Sequence, residues 1–379
     1  MKKTKVLQIF TSNNARSSGI LYLGEHILSA LPKDRYQTTT LFLCGDRRSD
    51  HLQSSADKTM YLNLRESQIK GLRLFASWRL FKLVRRERYE VAICHRYKPV
   101  SMMLFLNRWL RLPLCIGVSH GFGEYDRSYR KRQLRRSLSP AWRFVGVSPA
   151  LKAHLIGLDV GLDEGNAQAI TNAVDVRKIE SLHLSRPDAR EALGLPQDGR
   201  TIGALGRLVP LKGHRNLIEA FATLAPRFPD LQLAIIGDGR EMDRLKELAV
   251  QLGVADRVFL PGFREDAASY VKAFDVFAMP STREGLGLAL LEGMVGKLPV
   301  VASNIPAMLP LIEGARGIAV PPGDVDALAA ALEKYLKLDI QSLQDAGERS
   351  YRYVLEHHGL DEFRAKYLGL IEGRHDGRN

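Results

Sequence analysis

The chain has 379 residues, 45% of them hydrophobic and 26% charged, with a formal net charge of +13. That length accommodates two ordinary globular domains, each with its own core, and no apolar run is long enough to span a bilayer, the stretch Met102–Val118 being broken by Arg108 and Arg111. The positive balance calls for an anionic partner: nucleic acid, phospholipid or a phosphorylated substrate.

The start, MKKTKVLQIF, has a basic head but too short an apolar run for a secretory signal, and it reads as a first strand, Val6–Phe10. A polar loop follows, Thr11-Ser12-Asn13-Asn14 and then Ser17-Ser18-Gly19, before a helical pattern from Ile20 to Leu31. Gly19 there lets a phosphate or sugar approach the backbone. Thr38–Cys44 reads as the second strand. Ile69–Arg88 reads as an amphipathic helix with Ile69, Leu72, Phe75, Trp78, Phe81 and Val84 on one side and seven Lys and Arg elsewhere. Val91–Cys94, Leu112–Ser119 and Phe144–Val147 read as strands ending at His95, at His120-Gly121 and at Ser148-Pro149. Strand ends are where open parallel sheets place ligands. As a lone strand-end histidine His120 reads as structural; on a loop before a glycine it reads equally as functional. A second basic cluster runs from Arg127 to Arg143, with Tyr125, Tyr129 and Trp142 nearby. Both clusters read either as solvated helix faces or as a surface that docks on an anionic cytoplasmic membrane. The cysteines Cys44, Cys94 and Cys115 are far apart and show no metal-ligand spacing, which fits a reducing compartment.

Ser185–Gln197, polar and with a short helix at Arg190–Leu193, reads as a crossover between domains. Beyond it, Thr201–Leu205 runs into Gly206-Arg207 and Leu211-Lys212-Gly213. Arg207 can chelate phosphate oxygens with its planar fork and Lys212 acts as a point charge. Strands at Leu231–Ile236 and Val258–Leu260 end in Gly237-Asp238-Gly239 and Pro261-Gly262-Phe263. The stretch from Phe274 to Ser303 reads as strand, turn, helix, strand: Val276–Met279, a loop with Gly285 and Gly287, a helix from Leu288 to Met294, then Pro299–Ala302. A helix N-terminus met through glycines favours an anion. Glu284 and Glu292 bracket it, and carboxylates beside an anion make sense when they bind uncharged hydroxyls, a sugar at one end and a ribose at the other. Each alone also has a plainer, lesser reading as an exposed Glu, which the two together oppose. Gly203 to Gly206 is not a dinucleotide fingerprint, and Walker A, HExxH and CxxC motifs are absent from the sequence. Asp324–Leu336, Ser342–His358 and Glu362–Glu372 read as helices, and Gly373–Asn379 as a frayed tail.

The stretch D-V-F-A-M-P-S-T-R-E-G-L-G-L-A-L-L-E resembles the signature of the family 4 retaining glycosyltransferases of the GT-B fold, with its two Glu separated by seven residues at Glu284 and Glu292. Leu286 stands where the family usually has Phe, and Glu292-Gly293-Met294-Val295 replaces Glu-Ala-Met-Ala. Ala169–Asp175 is similar to the I-x-N-G-V-D segment, with Ala173 for Gly, and Arg207 and Lys212 match the G-R-L…K-G pattern. The resemblance implies an α/β chain of two Rossmann-like parallel-sheet domains facing a cleft. Residues 1–176 would bind acceptor, with a C-terminal helix at about 359–379 packed back on them, and 177–358 would bind a nucleotide sugar. It implies catalytic roles for His120, Glu284, Arg207 and Lys212. It implies donor contacts from Gly19, Arg207, Lys212, Phe263, Gly285, Leu286, Gly287, Leu288 and Glu292. It implies no cofactor and no metal, a UDP-sugar as the favoured donor and a glycan or glycolipid acceptor. Charge and resemblance together imply a cytoplasmic protein on the inner face of the membrane, in envelope polysaccharide assembly such as a lipopolysaccharide core. The rivals are a nucleotide-sugar epimerase of similar architecture and a nucleic-acid reader, the latter without any motif in its support.

Overall fold

The computed structural model divides the chain into two units, Met1–Ala173 with Leu360–Asn379, and Val174–Gly359. It describes residues 2–13, 18–45 and 54–373, so Asn14 and Ser17 of the expected N-terminal loop and the expected tail beyond Gly373 lie outside the described residues.

In the first unit, β1 (Thr4–Phe10), β2 (Tyr36–Phe42), β3 (Lys58–Tyr61), β4 (Val91–His95), β5 (Leu114–Ser119), β6 (Trp142–Gly146) and β7 (Ala167–Ala169) form one sheet. Their order is β3-β2-β1-β4-β5-β6-β7 and every pairing is parallel. The central strands are apolar on both faces, Val6, Leu7 and Ile9 on β1 and Ala92, Ile93 and Cys94 on β4, all buried, as a parallel sheet covered on both sides requires. The strand order reverses between β1 and β4, where Ile9 lies opposite Cys94. His95 in turn lies opposite Val118, so the ends of β1, β4 and β5 meet at one place. The last helix, Leu360–Ile371, belongs to this unit and packs on the helix Ser18–Ser29, with Arg364 Nε donating to Ser29 Oγ at 3.1 Å.

In the second unit, β8 (Thr201–Leu205), β9 (Gln232–Ile236), β10 (Val258–Phe259), β11 (Val276–Met279), β12 (Val300–Ser303) and β13 (Ile318–Val320) form a parallel sheet in the order β10-β9-β8-β11-β12-β13. It reverses between β8 and β11. Both sheets thus have the doubly wound order in which ligands sit beyond the strand ends at the reversal. The helix Arg186–Leu193, where the crossover between domains was expected, lies inside this second unit, which begins at Val174; it is capped by Ser185, whose hydroxyl accepts from the Asp188 amide. Arg190 on it is fully buried, because its guanidinium meets the carbonyls of Ala273, Pro196, Gln197, Asp198 and Gly199 and the Asp275 carboxylate.

Two expectations need correction. The helix expected from Ile69 begins at Leu74, because Gly71 and Arg73 take left-handed backbone at φ 59° and φ 57° and a separate turn, Glu66–Ile69, precedes them. Its buried face is Ala76, Ser77, Leu80, Leu83 and Val84, while Leu72, Phe75 and Trp78 point to solvent. In the second basic cluster Tyr125 and Trp142 are core residues at 1% exposure each, and only Tyr129 is exposed.

Candidate functional site

At the reversal of the second sheet, β8 ends at Leu205 and Gly206 turns the chain at φ +150°. A short turn, Pro210–Lys212, closes at Gly213, where any Cβ would lie 2.1 Å from the Pro280 carbonyl oxygen. Only glycine permits that approach, which packs the turn on the loop leaving β11, and the Thr282 amide donates to Leu211 O at 2.9 Å. The packing sets the electrostatics. Lys212 Nζ lies 2.6 Å from Glu284 Oε1, with both side chains mostly covered. In such shielded surroundings each charge acts more strongly than in water on whatever enters.

Gly285, Leu286 and Gly287 are buried, with Leu286 at 3% exposure, so this stretch offers backbone rather than side chains. The helix Leu288–Val295 starts from Gly287 at φ 107° and no side chain caps it, which leaves its first amides for an anion. Glu292 lies on this helix. Burial raises its carboxyl to about 7, against the pull of Lys212 and with a push from Asp266. His214, next to the Lys212-Gly213 turn, is 4% exposed, and burial and then Lys212 hold it down to about 4. Sequence reading passed over His214; its one signal was its place directly after the basic turn. Arg207 is exposed at the same strand end. Phe263 is also exposed, in the loop after β10, where Gly262 O accepts from the Gly237 amide at 3.0 Å. The second unit thus brings Lys212, Glu284, Glu292 and the 285–288 backbone together, while Phe263 stands on the loop after β10, two strands from β8.

His120 and Gly19 belong to the first unit. Gly19 is in the first turn of the helix Ser18–Ser29. His120 follows β5, and its ring nitrogen Nε2 lies 3.0 Å from Nδ1 of His95, the last residue of β4. His95 Nε2 lies 3.2 Å from Gln8 Oε1 on β1. The His120 amide donates to Glu124 Oε1 at 3.3 Å, and Arg96 Nε is 3.9 Å from that same oxygen. Burial, then His95, then Arg96 push the His120 ring well below its ordinary range, burial lowers His95 to about 3, and burial raises Glu124 to about 7. Arg96 itself sits at φ 69°, ψ 171°, a region that glycine alone adopts readily, at a cost of about 1–3 kcal/mol. The sequence pointed to His120 and to the strand end at His95, but neither the pairing of the two rings nor the part of Gln8 and Glu124 was visible in it.

Residues 25–178 match the family model "Glycosyltransferase Family 4", and residues 185–353 match "Glycosyl transferases group 1". The chain is 34% identical over 220 residues to a D-inositol 3-phosphate glycosyltransferase of Corynebacterium urealyticum, covering 54% of this chain and 52% of that one. It is 33% identical to the lipopolysaccharide core biosynthesis glycosyltransferase LpsE of Rhizobium meliloti, covering 49% and 53%. In these two matches the chain spans about half the length of the curated relatives. A UDP-Gal:alpha-D-GlcNAc-diphosphoundecaprenol alpha-1,3-galactosyltransferase of Escherichia coli is 26% identical over 83% of this chain and 84% of its own. In structure, a glycosyltransferase from Rickettsia africae superposes with a TM-score of 0.81 at 18% identity, covering 100% of both chains. The Anabaena HepE protein in complex with UDP superposes with a TM-score of 0.78 at 20% identity, covering 98% of this chain and 100% of its own. With one family model on each half, in order, and two Rossmann-like parallel sheets between them, the chain belongs to the GT4-type glycosyltransferases of the GT-B fold.

Proposed function

We propose that this protein transfers a glycosyl group, with retention, from a nucleoside-diphosphate sugar to a hydroxyl of a glycolipid or polysaccharide acceptor. The observation that carries it is the second-sheet reversal, where Lys212, Glu284 and the uncapped start of the helix Leu288–Val295 converge. The donor diphosphate sits on the 285–288 amides with Arg207 and Lys212 against its oxygens, which stabilise the charge that grows as the sugar–phosphate bond breaks. Glu284 releases part of its hold on Lys212 to orient sugar hydroxyls, Glu292 binds the ribose, and the Gly262–Phe263 backbone lies by the base. The acceptor oxygen forms the new bond to the anomeric carbon on the face from which the diphosphate leaves, and the leaving phosphate oxygen takes the acceptor's proton. The cations serve where a metal serves in other transferases. A UDP-sugar is favoured because relatives named above act on or bind UDP species.

The acceptor is assigned to the first unit, and its class to envelope glycolipids, since one relative is a lipopolysaccharide-core enzyme and another acts on a diphosphoundecaprenol. Among the described residues no helix is long and apolar enough to cross a membrane. Instead Leu74, Phe75, Trp78, Phe105 and Trp109 are exposed on two helices of the first unit, and Leu72 in the turn before the first of them, with Lys82 Nζ 3.9 Å above the Trp78 ring. That surface supports peripheral docking on the inner face of an anionic cytoplasmic membrane. The comparisons give the epimerase reading no support. A test of the function is incubation of the protein with UDP-sugars, with and without an extract of envelope glycolipid, followed by NMR of the sugar. Extract-dependent transfer with the anomeric configuration kept supports the proposal. Acceptor-free interconversion of the sugar would replace it with the epimerase.

A further inference from the structure

The pairing of His95 with His120 goes beyond any role the family match assigns. His95 is 1% exposed, and its ring lies flat on Phe10, with centroids 4.3 Å apart and planes 6° from parallel. It cannot turn without breaking that stack. Its Nε2 faces the Gln8 carbonyl oxygen at 3.2 Å, and Gln8 is fully buried on β1. A carbonyl oxygen only accepts, so the His95 proton is on Nε2, and Nδ1 carries a lone pair. That lone pair is 3.0 Å from His120 Nε2, which must therefore be the protonated nitrogen of His120. The lone pair of His120 is left on Nδ1.

We propose that His95 is a positioning residue for His120: the chain Gln8–His95–His120 fixes the ring and tautomer of His120 so that Nδ1 is the acceptor offered to a sugar hydroxyl. Three strands supply the chain, β1 through Gln8, β4 through His95 and the end of β5 through His120, at the reversal of the first sheet. Burial is the first cause that keeps both rings neutral. Among the described residues, the charged groups acting on the pair or on its hydrogen-bond partner Glu124 are Arg96 and Arg130. Arg96, next along the chain from His95, opposes protonation of His120. Glu124 receives the His120 amide and faces Arg96, and Arg130 on the helix Ser128–Ser137 donates to Glu124 O at 2.6 Å. From β1, Gln8 and Phe10 meet His95, and both are uncharged.

The inference rests on the proposed transfer for its purpose but not for its geometry, and two readouts separate them. The first is long-range ¹H–¹⁵N NMR of the histidine rings in the full-length chain. Wild type should show His120 as a single tautomer protonated at Nε2 and neutral through the physiological range. His95→Phe, which keeps the stack on Phe10, should give a mixture of tautomers. His95→Asn, whose side-chain oxygen replaces Nδ1 as acceptor, should restore the single tautomer. Should His95→Phe fail to fold, Gln8→Met releases the far end of the same chain and should also mix the tautomers. The second readout is turnover. His95→Phe should lower kcat roughly tenfold, with the donor KM nearly unchanged, as expected for loss of one oriented hydrogen bond. His95→Asn should recover most of it. A wild-type His120 spectrum in His95→Phe would overturn the chain itself. A changed spectrum with unchanged turnover would overturn the role of His120 in transfer and leave the fold and family intact.

Discussion

Lys212 and Glu284 hold each other at 2.6 Å before any donor arrives, so each substitution has two effects. Lys212→Met removes the cation against the diphosphate and also leaves Glu284 without its partner. Donor affinity should fall by one to two decades, the worth of a charged hydrogen bond of about 1.5–3 kcal/mol. Glu284→Ala should cut kcat steeply while leaving UDP binding nearly intact; equal losses in both would mean that it acts on the nucleotide. Glu292 gives a prediction in pH. Its folded carboxyl is raised to about 7 from an ordinary value of 4.5, so ionising it costs the folded state. The stability present below pH 4.5 is lost as pH rises through 7. Glu292→Gln has no charge to form, so it should match wild type at pH 4.5 and exceed it by about 1–3 kcal/mol at pH 8 in urea denaturation. Equal stability of the two proteins at pH 8 would show that Glu292 is not in a desolvated site.

At the scale of elements, the strands carrying the site were the most legible. β8 and β11 have the bounds read from the sequence, Thr201–Leu205 and Val276–Met279, because short apolar runs ending in Gly206 and in Pro280 leave little choice. The helix over Leu74–Glu87 was misread because periodicity does not tell which apolar stripe is buried, and the left-handed Arg73 that breaks it carries no sequence signal. β3, β7 and β13, with the sequences KTMY, AQA and IAV, were not read because each is the outermost strand of its sheet and only partly buried, so little apolar pattern marks it. Arg96 was equally invisible, since its strain is a property of the path from β4 into the helix Tyr97–Leu110. Arg96→Gly should relieve that strain and raise stability by about 1 kcal/mol net of glycine's added freedom in the unfolded chain, while activity falls as Glu124 loses its partner. Lower stability in Arg96→Gly would mean that the guanidinium contributes more than the backbone costs.

For the whole molecule, charge and sequence pattern announced two α/β units, an anionic partner and, at Trp78 and Tyr129, part of the exposed apolar surface, but not its extent. The exposed Leu74, Phe75, Trp78 and Trp109 place it on the helices after β3 and β4, with Leu72 in the turn before the first, whereas Trp142 and Tyr125, which looked similar in sequence, fill the core. Liposome co-sedimentation should therefore need anionic lipid and weaken with salt. It should fall more with Leu74→Glu plus Trp78→Glu than with Arg135→Glu plus Arg136→Glu; the reverse ranking would move the docking face. Chelator should leave transfer intact, and its complete loss with EDTA, restored by Mg²⁺ or Mn²⁺, would return the work of Arg207 and Lys212 to a metal. The most direct test of the central claim is isothermal titration of UDP into the wild-type chain and into Lys212→Met, Arg207→Ala and Glu292→Ala. Saturable binding without added metal, weakened roughly tenfold or more by each substitution, is the predicted result. Undetectable binding to wild type at millimolar UDP, or binding that none of the three weakens, would contradict a donor site at the reversal of the second sheet.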